Sequence, residues 1–224
     1  MRTWVEINKE NLKYNVLKLK ETANNREVLG VVKANAYGLG SIEIAKILKE
    51  VGVKLFGVAN LEEAIELQEA GIKDKILILG ASFEDELIEA TKRGIHIAIS
   101  SMAQLQFLVD NNLKPNIHLK FDTGMTRLGF EVDEAQKVID YCKINNLNLV
   151  GIFSHLSDSD GNTVETKNFT LEQIEKFKKI INSLNLEYIH ISNSAGITNF
   201  HNDILGNLVR LGIGMYSFTG NKKT

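Results

Sequence analysis

Short apolar stretches rich in β-branched residues recur along the chain, and most precede a stretch in which apolar residues return every three or four positions. The short stretches are bounded by turn residues and predict strands, whereas the three- to four-residue period predicts amphipathic helices. Strands are predicted at residues 28–33, 54–59, 76–79, 96–99, 117–122, 149–154, 188–191 and 208–211. Helices are predicted at residues 8–23, 61–70, 83–91, 102–109, 133–141 and 171–184.

The order and spacing of these elements predict the fold. Successive strands begin roughly 20 to 40 residues apart, which is the length of one strand–helix unit. Nearly continuous apolar runs are typical of parallel strands buried on both faces. The pattern therefore predicts a (β/α)8 TIM-type barrel, with a doubly wound open sheet as the alternative. Because no apolar helix follows residues 208–211, we expect a further segment to pack on that part of the barrel.

Composition and charge narrow the class of protein. The 224 residues include 26 Lys and Arg against 28 Asp and Glu, so no basic excess is available to neutralise a nucleic-acid backbone. No run approaches the ~18 apolar residues of a membrane span, and the first residues lack the apolar core of a signal peptide. The single Cys142 suits a reducing compartment. We expect a cytoplasmic protein that binds neither nucleic acid nor membranes.

Polar side chains stand where the predicted strands end, which is the end of a barrel that carries catalytic residues. Lys33 ends the first strand among apolar neighbours, where poor solvation favours the neutral amine and suits it to imine formation. The alternative is a lysine that simply extends into solvent. The other polar residues at strand ends are Lys120, Asp122, Arg127, His155, Asn193, Ser194 and Arg210.

Residues 31–40, VVKANAYGLG, resemble the pyridoxal phosphate signature of the alanine racemase family, with Leu39 where the usual pattern has histidine. Further motifs follow in the family's order: TWVEIN at 3–8 (its opening strand), KFDTGMTRLGF at 120–130, GIFSHL at 151–156, HISNSA at 190–195 and VRLGIGMY at 209–216. The resemblance covers essentially the whole chain. It implies a pyridoxal phosphate-dependent isomerase that interconverts L-alanine and D-alanine and so supplies D-alanine for peptidoglycan.

The resemblance also implies which residues bind the cofactor. Lys33 would bond it covalently and then act as one of two acid–base groups. Tyr37, Ser194 and the backbone N–H groups of Gly212 and Ile213 would bind its phosphate, in agreement with the phosphate sites that barrels form after their last strands. For Ser194, the cap of a short helix at 195–199 is a further interpretation. Asn193, in the same motif, counts among the cofactor-binding residues.

Four more residues acquire roles from the resemblance. Arg210 would hydrogen-bond the pyridine nitrogen and keep it unprotonated, because an arginine stays charged. His155 would pack against the cofactor ring and hydrogen-bond Arg210, and Arg127 would bind the cofactor's phenolate oxygen and the substrate carboxylate. Lys120 is carbamylated in some members of the family, with a plain Lys120–Asp122 network as the alternative. We expect Asp122 to order its loop rather than to act as an acid.

In the family, the second proton-transfer group is a tyrosine of a C-terminal β domain, contributed by the partner subunit of a head-to-tail homodimer. That domain is absent from this sequence. The resemblance therefore implies that residues 1–224 are the barrel domain of a longer enzyme, and that this domain alone is inactive or weakly active. Serine and broad-specificity racemases share most of the motifs, and a non-catalytic pyridoxal phosphate carrier is a further alternative.

A metal-dependent hydrolase barrel is an alternative from a different class. His118, Lys120, Asp122, His155 and His190 all lie near strand ends, and a carbamylated lysine can bridge two metal ions. Such sites usually take paired histidines from the first strand, whereas this first strand ends in Lys33. We therefore expect no metal site.

Overall fold

The computed structural model describes residues 4–182 and 184–216, and its centre is a barrel of eight parallel strands. Around the barrel the strand order is β8-β7-β5-β4-β3-β2-β1-β9, and the short β6 pairs with β5 outside this path. The strands are β1 Glu27–Val31, β2 Leu55–Val58, β3 Lys75–Ile78, β4 His96–Ile99, β5 Ile117–Asp122, β6 Phe130–Glu131, β7 Leu149–Phe153, β8 Tyr188–His190 and β9 Leu208–Leu211. The predicted TIM-type barrel is confirmed, and the doubly wound alternative is wrong.

The helices are α1 Lys9–Thr22, α2 Lys33–Gly38, α3 Ser41–Glu50, α4 Leu61–Glu69, α5 Glu84–Lys92, α6 Met102–Asp110, α7 Ala135–Ile144, α8 Val164–Ile181 and α9 Ser194–Asn199. Short 3₁₀ turns stand at Val132–Glu134, His201–Asp203 and Ile213–Tyr216. The prediction placed the start of α8 too late, because residues 164–168 carry a single apolar side chain, Val164. They follow a cap, Thr163, whose hydroxyl accepts from Thr166 N–H. Within the described ranges, no helix combines the length and apolar character needed to cross a membrane.

The interior of the barrel has an apolar half and a polar half. Strands β1, β2, β3 and β9 fill one half with Leu29, Val31, Leu55, Leu77 and Leu208. Strands β5, β7 and β8 line the other half with His118, Lys120, Phe153 and His190, all buried. A separate and larger apolar layer lies between the strands and the surrounding helices. The polar half leads directly to the carboxyl ends of the strands, where the candidate site lies.

The barrel closes between β8 and β9 by single hydrogen bonds rather than by a regular ladder. Arg210 N–H donates to Ser192 O (3.0 Å), and Asn207 N–H donates to Ile189 O (3.1 Å). Gly206, with φ +81°, allows this approach, since a Cβ there would lie against the carbonyl of Ile189. The two strands are thus held together at a few points, and the Arg210 side chain supplies more of them.

Helix α1 lies outside the barrel, over elements that flank the paired strands β9 and β1. It packs against α3, α9 and the turn at Ile213–Tyr216, with Leu12 and Val16 buried. The Asn15 amide donates to Met215 O (3.0 Å). Helix α1 therefore covers part of this side of the barrel, and the expected further segment stays a prediction.

The opening strand implied by the resemblance at residues 3–8 does not form. Residue 3 lies outside the described residues, and residues 4–8 have no strand partner there. Trp4 and Val5 are exposed, and Asn8 caps α1 by accepting from Asn11 N–H (3.0 Å). A strand needs a neighbour to satisfy its backbone hydrogen bonds, and the barrel offers none at this position.

Candidate active site

A cavity of about 610 Å³ opens at the carboxyl ends of the strands. Its lining includes every residue predicted for the site, namely Lys33, Tyr37, Lys120, Arg127, His155, Asn193, Ser194, Arg210, Gly212 and Ile213. Asp160, Phe153, Leu79 and Gly80 also line it and were not predicted from the sequence. The structure therefore brings the predicted residues together, while their individual roles stay predictions.

Lys33 and Tyr37 enter the cavity from α2, which is a left-handed turn and not a regular helix. The four residues from Ala34 to Tyr37 all have φ between 51° and 57°, in the left-handed region. Such a run is unfavourable by roughly 1–2 kcal/mol per residue, so the surroundings must hold it. The Glu63 carboxylate accepts from Ala34 N–H and from Ala59 N–H, each at 2.7 Å. Helix α4 thereby anchors the turn that follows β1 to the end of β2.

Glu63 was missed because its sequence context indicates only a helix start. Asn60 accepts from Glu63 N–H (3.0 Å), which is the usual capping of a first helical turn. Nothing local shows that the Glu63 side chain reaches a turn 29 residues earlier in the chain.

The predicted phosphate end of the cavity is built from close backbone approaches. The buried Ser194 Oγ accepts from Gly212 N–H (3.1 Å) and from Gly214 N–H (3.2 Å). A Cβ at Gly212 would lie 2.7 Å from Tyr37 Oη, so only glycine leaves this corner open. Burial raises the pKa of Tyr37, which keeps its phenol protonated as a hydrogen-bond donor.

Asn193, and not Ser194, caps helix α9. Its Oδ1 accepts from Gly196 N–H (2.8 Å) and from Ser159 Oγ (2.7 Å), and its Nδ2 donates to Leu156 O (3.3 Å). The interpretation of Ser194 as the cap is therefore wrong, because Asn193 already holds that position. This leaves the Ser194 hydroxyl to contact the backbone at 212–214.

Arg210 is buried and donates only to uncharged acceptors. Its Nη2 donates to Ser154 O (2.8 Å), Ile191 O (2.7 Å) and His155 Nδ1 (3.0 Å). Its Nη1 donates to His190 Nδ1 (2.6 Å) and more weakly to His190 O (3.4 Å). Burial lowers the pKa of Arg210 to about 9, so the group stays cationic at neutral pH. None of these hydrogen bonds uses Nε.

These contacts settle the state of His155. A guanidinium has no acceptor, so His155 accepts at Nδ1 and carries its proton on Nε2 when neutral. Burial, followed by the charges of Arg210, Arg127, Lys120 and Lys33, lowers the pKa of His155 to about 2. His155 is therefore a neutral imidazole in the cavity wall.

Lys120 is a buried amine among other cations. Burial first, and then the charges of Arg127 and Arg210, lower its pKa to about 8. Both Asp122 oxygens are used elsewhere, by Gly124 N–H (2.8 Å) and Arg127 N–H (3.0 Å). The loop-ordering role expected for Asp122 agrees with these contacts, and its backbone partners lower the pKa of Asp122 although burial opposes them. In the described structure, Asp122 and Lys120 form no hydrogen bond with each other.

Two histidines of the hydrolase alternative, His118 and His190, do not line the cavity and lie inside the barrel. His118 and His190 are 0% exposed, with ring centroids 5.8 Å apart, and burial lowers the pKa of both well below the ordinary value. His118 Nε2 lies 3.1 Å from His96 Nδ1. Among the residues that the structure describes, no three His, Cys, Asp or Glu side chains are grouped to hold a metal ion.

The sequence and the fold of this chain are similar to those of known proteins. The family model described as alanine racemase, N-terminal domain, matches residues 7–219. An alanine racemase of Fusobacterium nucleatum subsp. nucleatum is 92% identical over 224 residues, covering 100% of this chain and 63% of that relative.

Solved structures give the same result for the fold. An alanine racemase from Oenococcus oeni superposes with a TM-score of 0.88 at 28% identity, over 96% of this chain and 65% of that one. A histidine racemase from Leuconostoc mesenteroides subsp. sake superposes with a TM-score of 0.85 at 25% identity, over 95% of this chain and 58% of that one. This chain thus spans less than two thirds of each of these three proteins.

Proposed function

Since the chain belongs to the alanine racemase family, we propose that it forms the cofactor-binding barrel of a pyridoxal phosphate-dependent isomerase that interconverts L-alanine and D-alanine. The product would serve peptidoglycan synthesis in the cytoplasm. One observation carries the proposal: a single cavity collects an amine, a corner lined by hydroxyl groups and backbone, and several cations.

The residues present fit pyridoxal phosphate. Lys33 offers a primary amine to an aldehyde. Tyr37 Oη, Ser194 Oγ and the backbone at Gly212 and Ile213 meet in a corner that a Cβ at Gly212 would fill. The Arg210 guanidinium lines the same cavity and could donate a hydrogen bond to the ring nitrogen. Asn193 holds the turn at 193–196 by accepting from Gly196 N–H. Bound here, pyridoxal phosphate would supply an electron-withdrawing ring that acidifies the α-proton of the amino acid.

The residues of the chain would then move and place protons. Lys33 Nζ would take or return the α-proton on one face of the amino acid. Arg210 would donate a hydrogen bond to the ring nitrogen and leave that nitrogen unprotonated, because the guanidinium keeps its own proton. Hydrogen bonds to neutral acceptors hold the guanidinium in place. His155, neutral and tied to Arg210, would pack on the ring without competing for the proton.

Arg127 and Lys120 would handle the carboxylate side of the substrate. Arg127 stands exposed at the cavity, where a guanidinium pairs well with a carboxylate. We propose that Lys120 is carbamylated: its amine adds to carbon dioxide and releases a proton, which replaces a cation by an anion beside Arg127. The lowered pKa of Lys120, about 8, supports this because the neutral amine is the reactive form. Labelling with ¹³C-bicarbonate, with Lys120→Met as control, tests it.

The second acid–base group is proposed to come from outside this barrel. By family resemblance it is a tyrosine of a C-terminal β domain, provided by the partner subunit of a head-to-tail homodimer. Residues 1–224 would then be one domain, competent to bind the cofactor but weak in racemisation. The loss of one of two acid–base groups typically costs ~10²–10⁴ in rate.

Borohydride reduction of the chain mixed with pyridoxal phosphate tests the proposal. A stable adduct should map to the peptide that contains Lys33, and Lys33→Ala should abolish it. Lys33→Ala that retains the same adduct would disprove the assignment. Adduct formation by an intact enzyme that racemises no amino acid would identify a carrier instead.

A second candidate is racemisation of a different amino acid. The observation that favours it is the histidine racemase with the same barrel, since one fold of this family accepts a larger side chain. Rates with L-alanine, L-serine and L-histidine, measured side by side on the intact enzyme, separate the two candidates.

A further inference from the structure

Gln173 is a fully buried side chain that lies outside the cavity yet contacts two of the loops that form it. It stands on α8, with 0% of its surface exposed. Its Nε2 donates to His155 O (3.1 Å) and to Thr123 Oγ1 (3.3 Å). Its Oε1 accepts from Ser157 N–H and from Ser157 Oγ, each at 3.0 Å. Both ends of the carboxamide are therefore in use.

The orientation of this amide follows from its backbone partners. The carbonyl of His155 can only accept, and the N–H of Ser157 can only donate. The amide nitrogen must therefore face His155 and the amide oxygen must face Ser157. A flipped amide would set its oxygen against the carbonyl oxygen of His155 and its nitrogen against the N–H of Ser157. Two buried groups would then lack a partner, which is costly.

The two loops that Gln173 joins both carry site residues. The loop after β7 contains His155, whose ring accepts from Arg210. The loop after β5 begins with Thr123, whose Oγ1 also contacts Ser154 Oγ (2.8 Å), and continues to Arg127. A Cβ at Gly124 would lie 3.4 Å from Gln173 Cγ, so this loop also packs directly on the Gln173 stem. One side chain thus sets the position of both loops relative to α8.

Three close substitutes for glutamine fail to reproduce this set of contacts. A glutamate offers only acceptors when ionised and would oppose the carbonyl of His155. A methionine fills the same volume with no donor. An asparagine is one methylene shorter than the distance requires.

We infer that Gln173 is a positioning residue of the active site, which holds the His155 loop and the Arg127 loop together so that both side chains face the cavity. The positioning by itself is independent of any ligand. Its link to cofactor and substrate binding rests on the proposed function.

Hydrogen–deuterium exchange on the ligand-free 224-residue chain tests the positioning. In Gln173→Met, exchange should rise about tenfold in segments 123–129 and 155–161 relative to the rest of the chain, since each loop loses hydrogen bonds. The matched control is Ile180→Ala, a buried change seven residues further along the same helix, at a side chain with no hydrogen-bonding group. If the control produces the same local rise at an equal loss of urea stability, Gln173 is an ordinary core residue and the inference is wrong.

A second variant gives a signature that packing alone does not. In Gln173→Glu, exchange at 155–161 should be high at pH 7.5 and return toward wild type on acidification to pH 5.5, after correction for intrinsic rates. Burial raises the pKa of a carboxyl group, and its protonated form regains one donor for His155 O. Gln173→Met should show no such recovery. Equal behaviour of the two variants at both pH values would overturn the inference.

Two further measurements close the test. If Gln173→Met does not fold, Ser157→Ala replaces it. Exchange at 155–161 should then rise by less than the tenfold expected for Gln173→Met, and an unchanged segment counts against the inference.

Affinity for pyridoxal phosphate, followed by absorbance, should fall about tenfold in Gln173→Met. A wild-type chain that does not bind pyridoxal phosphate refutes the proposed function, whereas the exchange data still decide the positioning.

Discussion

The guanidinium of Arg210 donates to His155 Nδ1 across 3.0 Å, and this contact joins the last strand of the barrel to the loop after β7. It places the proton of His155 on Nε2, on the side away from the arginine. The same guanidinium donates to the carbonyls of Ser154 and Ile191. Arg210 therefore supports the closure of the barrel as well as the wall of the cavity.

Arg210→Gln should destabilise the fold. Glutamine is too short to reach the carbonyls of both Ser154 and Ile191, and each buried acceptor left without a donor costs ~1–3 kcal/mol. We expect a loss of about 2–4 kcal/mol in the free energy of unfolding, measured with urea. The same change at Arg93, whose side chain pairs with Glu89 on the surface (2.6 Å), should cost less than about 1 kcal/mol. Equal losses at the two positions would show that Arg210 does not hold the barrel closed.

The fold was predictable because its signal is local. Parallel strands buried on both faces produce short apolar runs, and the runs at 76–79 and 96–99 match the observed strands to within one residue. The start of α8 was not predictable from periodicity, since residues 164–168 carry a single apolar side chain, the exposed Val164.

The site was predictable only at the strand ends. Lys33 and His155 follow strands, and Lys120 and Arg210 lie near the carboxyl ends of strands. A barrel directs residues at these positions to one cavity. The contacts of Glu63 with Ala34 and of Gln173 with Thr123 join residues 29 and 50 positions apart. Neither pair leaves a spacing in the sequence that would reveal it, and the left-handed turn after Lys33 depends on the first of them.

Stability should fall as the pH drops below about 6.5. Burial lowers the pKa of His96 to about 4 and that of His155 to about 2, and places His118 and His190 well below the ordinary value. The folded state therefore needs these rings neutral, whereas the unfolded chain takes up protons near its unperturbed pKa of ~6.5. Each such histidine contributes stability at neutral pH that is lost on acidification, by up to ~1.4 kcal/mol per pH unit.

Urea unfolding between pH 7.5 and 5 measures this slope. His96→Gln removes one titrating ring while keeping a polar side chain beside Asn116, so its slope should be smaller by up to one proton. A variant with the wild-type slope would show that His96 does not contribute to it. Stability that is flat over this range would contradict the expectation for all four rings.

Glu63→Gln should destabilise the turn that carries Lys33. The carboxylate accepts two backbone N–H groups at 2.7 Å, and an amide would turn its own N–H₂ toward one of them. We expect a loss of about 1–3 kcal/mol in unfolding free energy. Glu62→Gln is a matched control, since Glu62 lies in the same first turn of α4 and is exposed. Similar losses for both would attribute the effect to the charge at the helix start rather than to the turn.

Gly212 and Tyr37 should be energetically coupled, because a Cβ at 212 would stand 2.7 Å from the phenol oxygen. Gly212→Ala in the wild-type chain forces one of them to move, and overpacking of this kind typically costs ~1–3 kcal/mol. Tyr37→Phe deletes the oxygen and leaves the ring Cζ at 3.5 Å, an ordinary contact. In that background Gly212→Ala should cost almost nothing. The four unfolding free energies of this cycle give the coupling directly, and an alanine penalty that is the same with and without the hydroxyl would mean that the corner is wider than the structure shows.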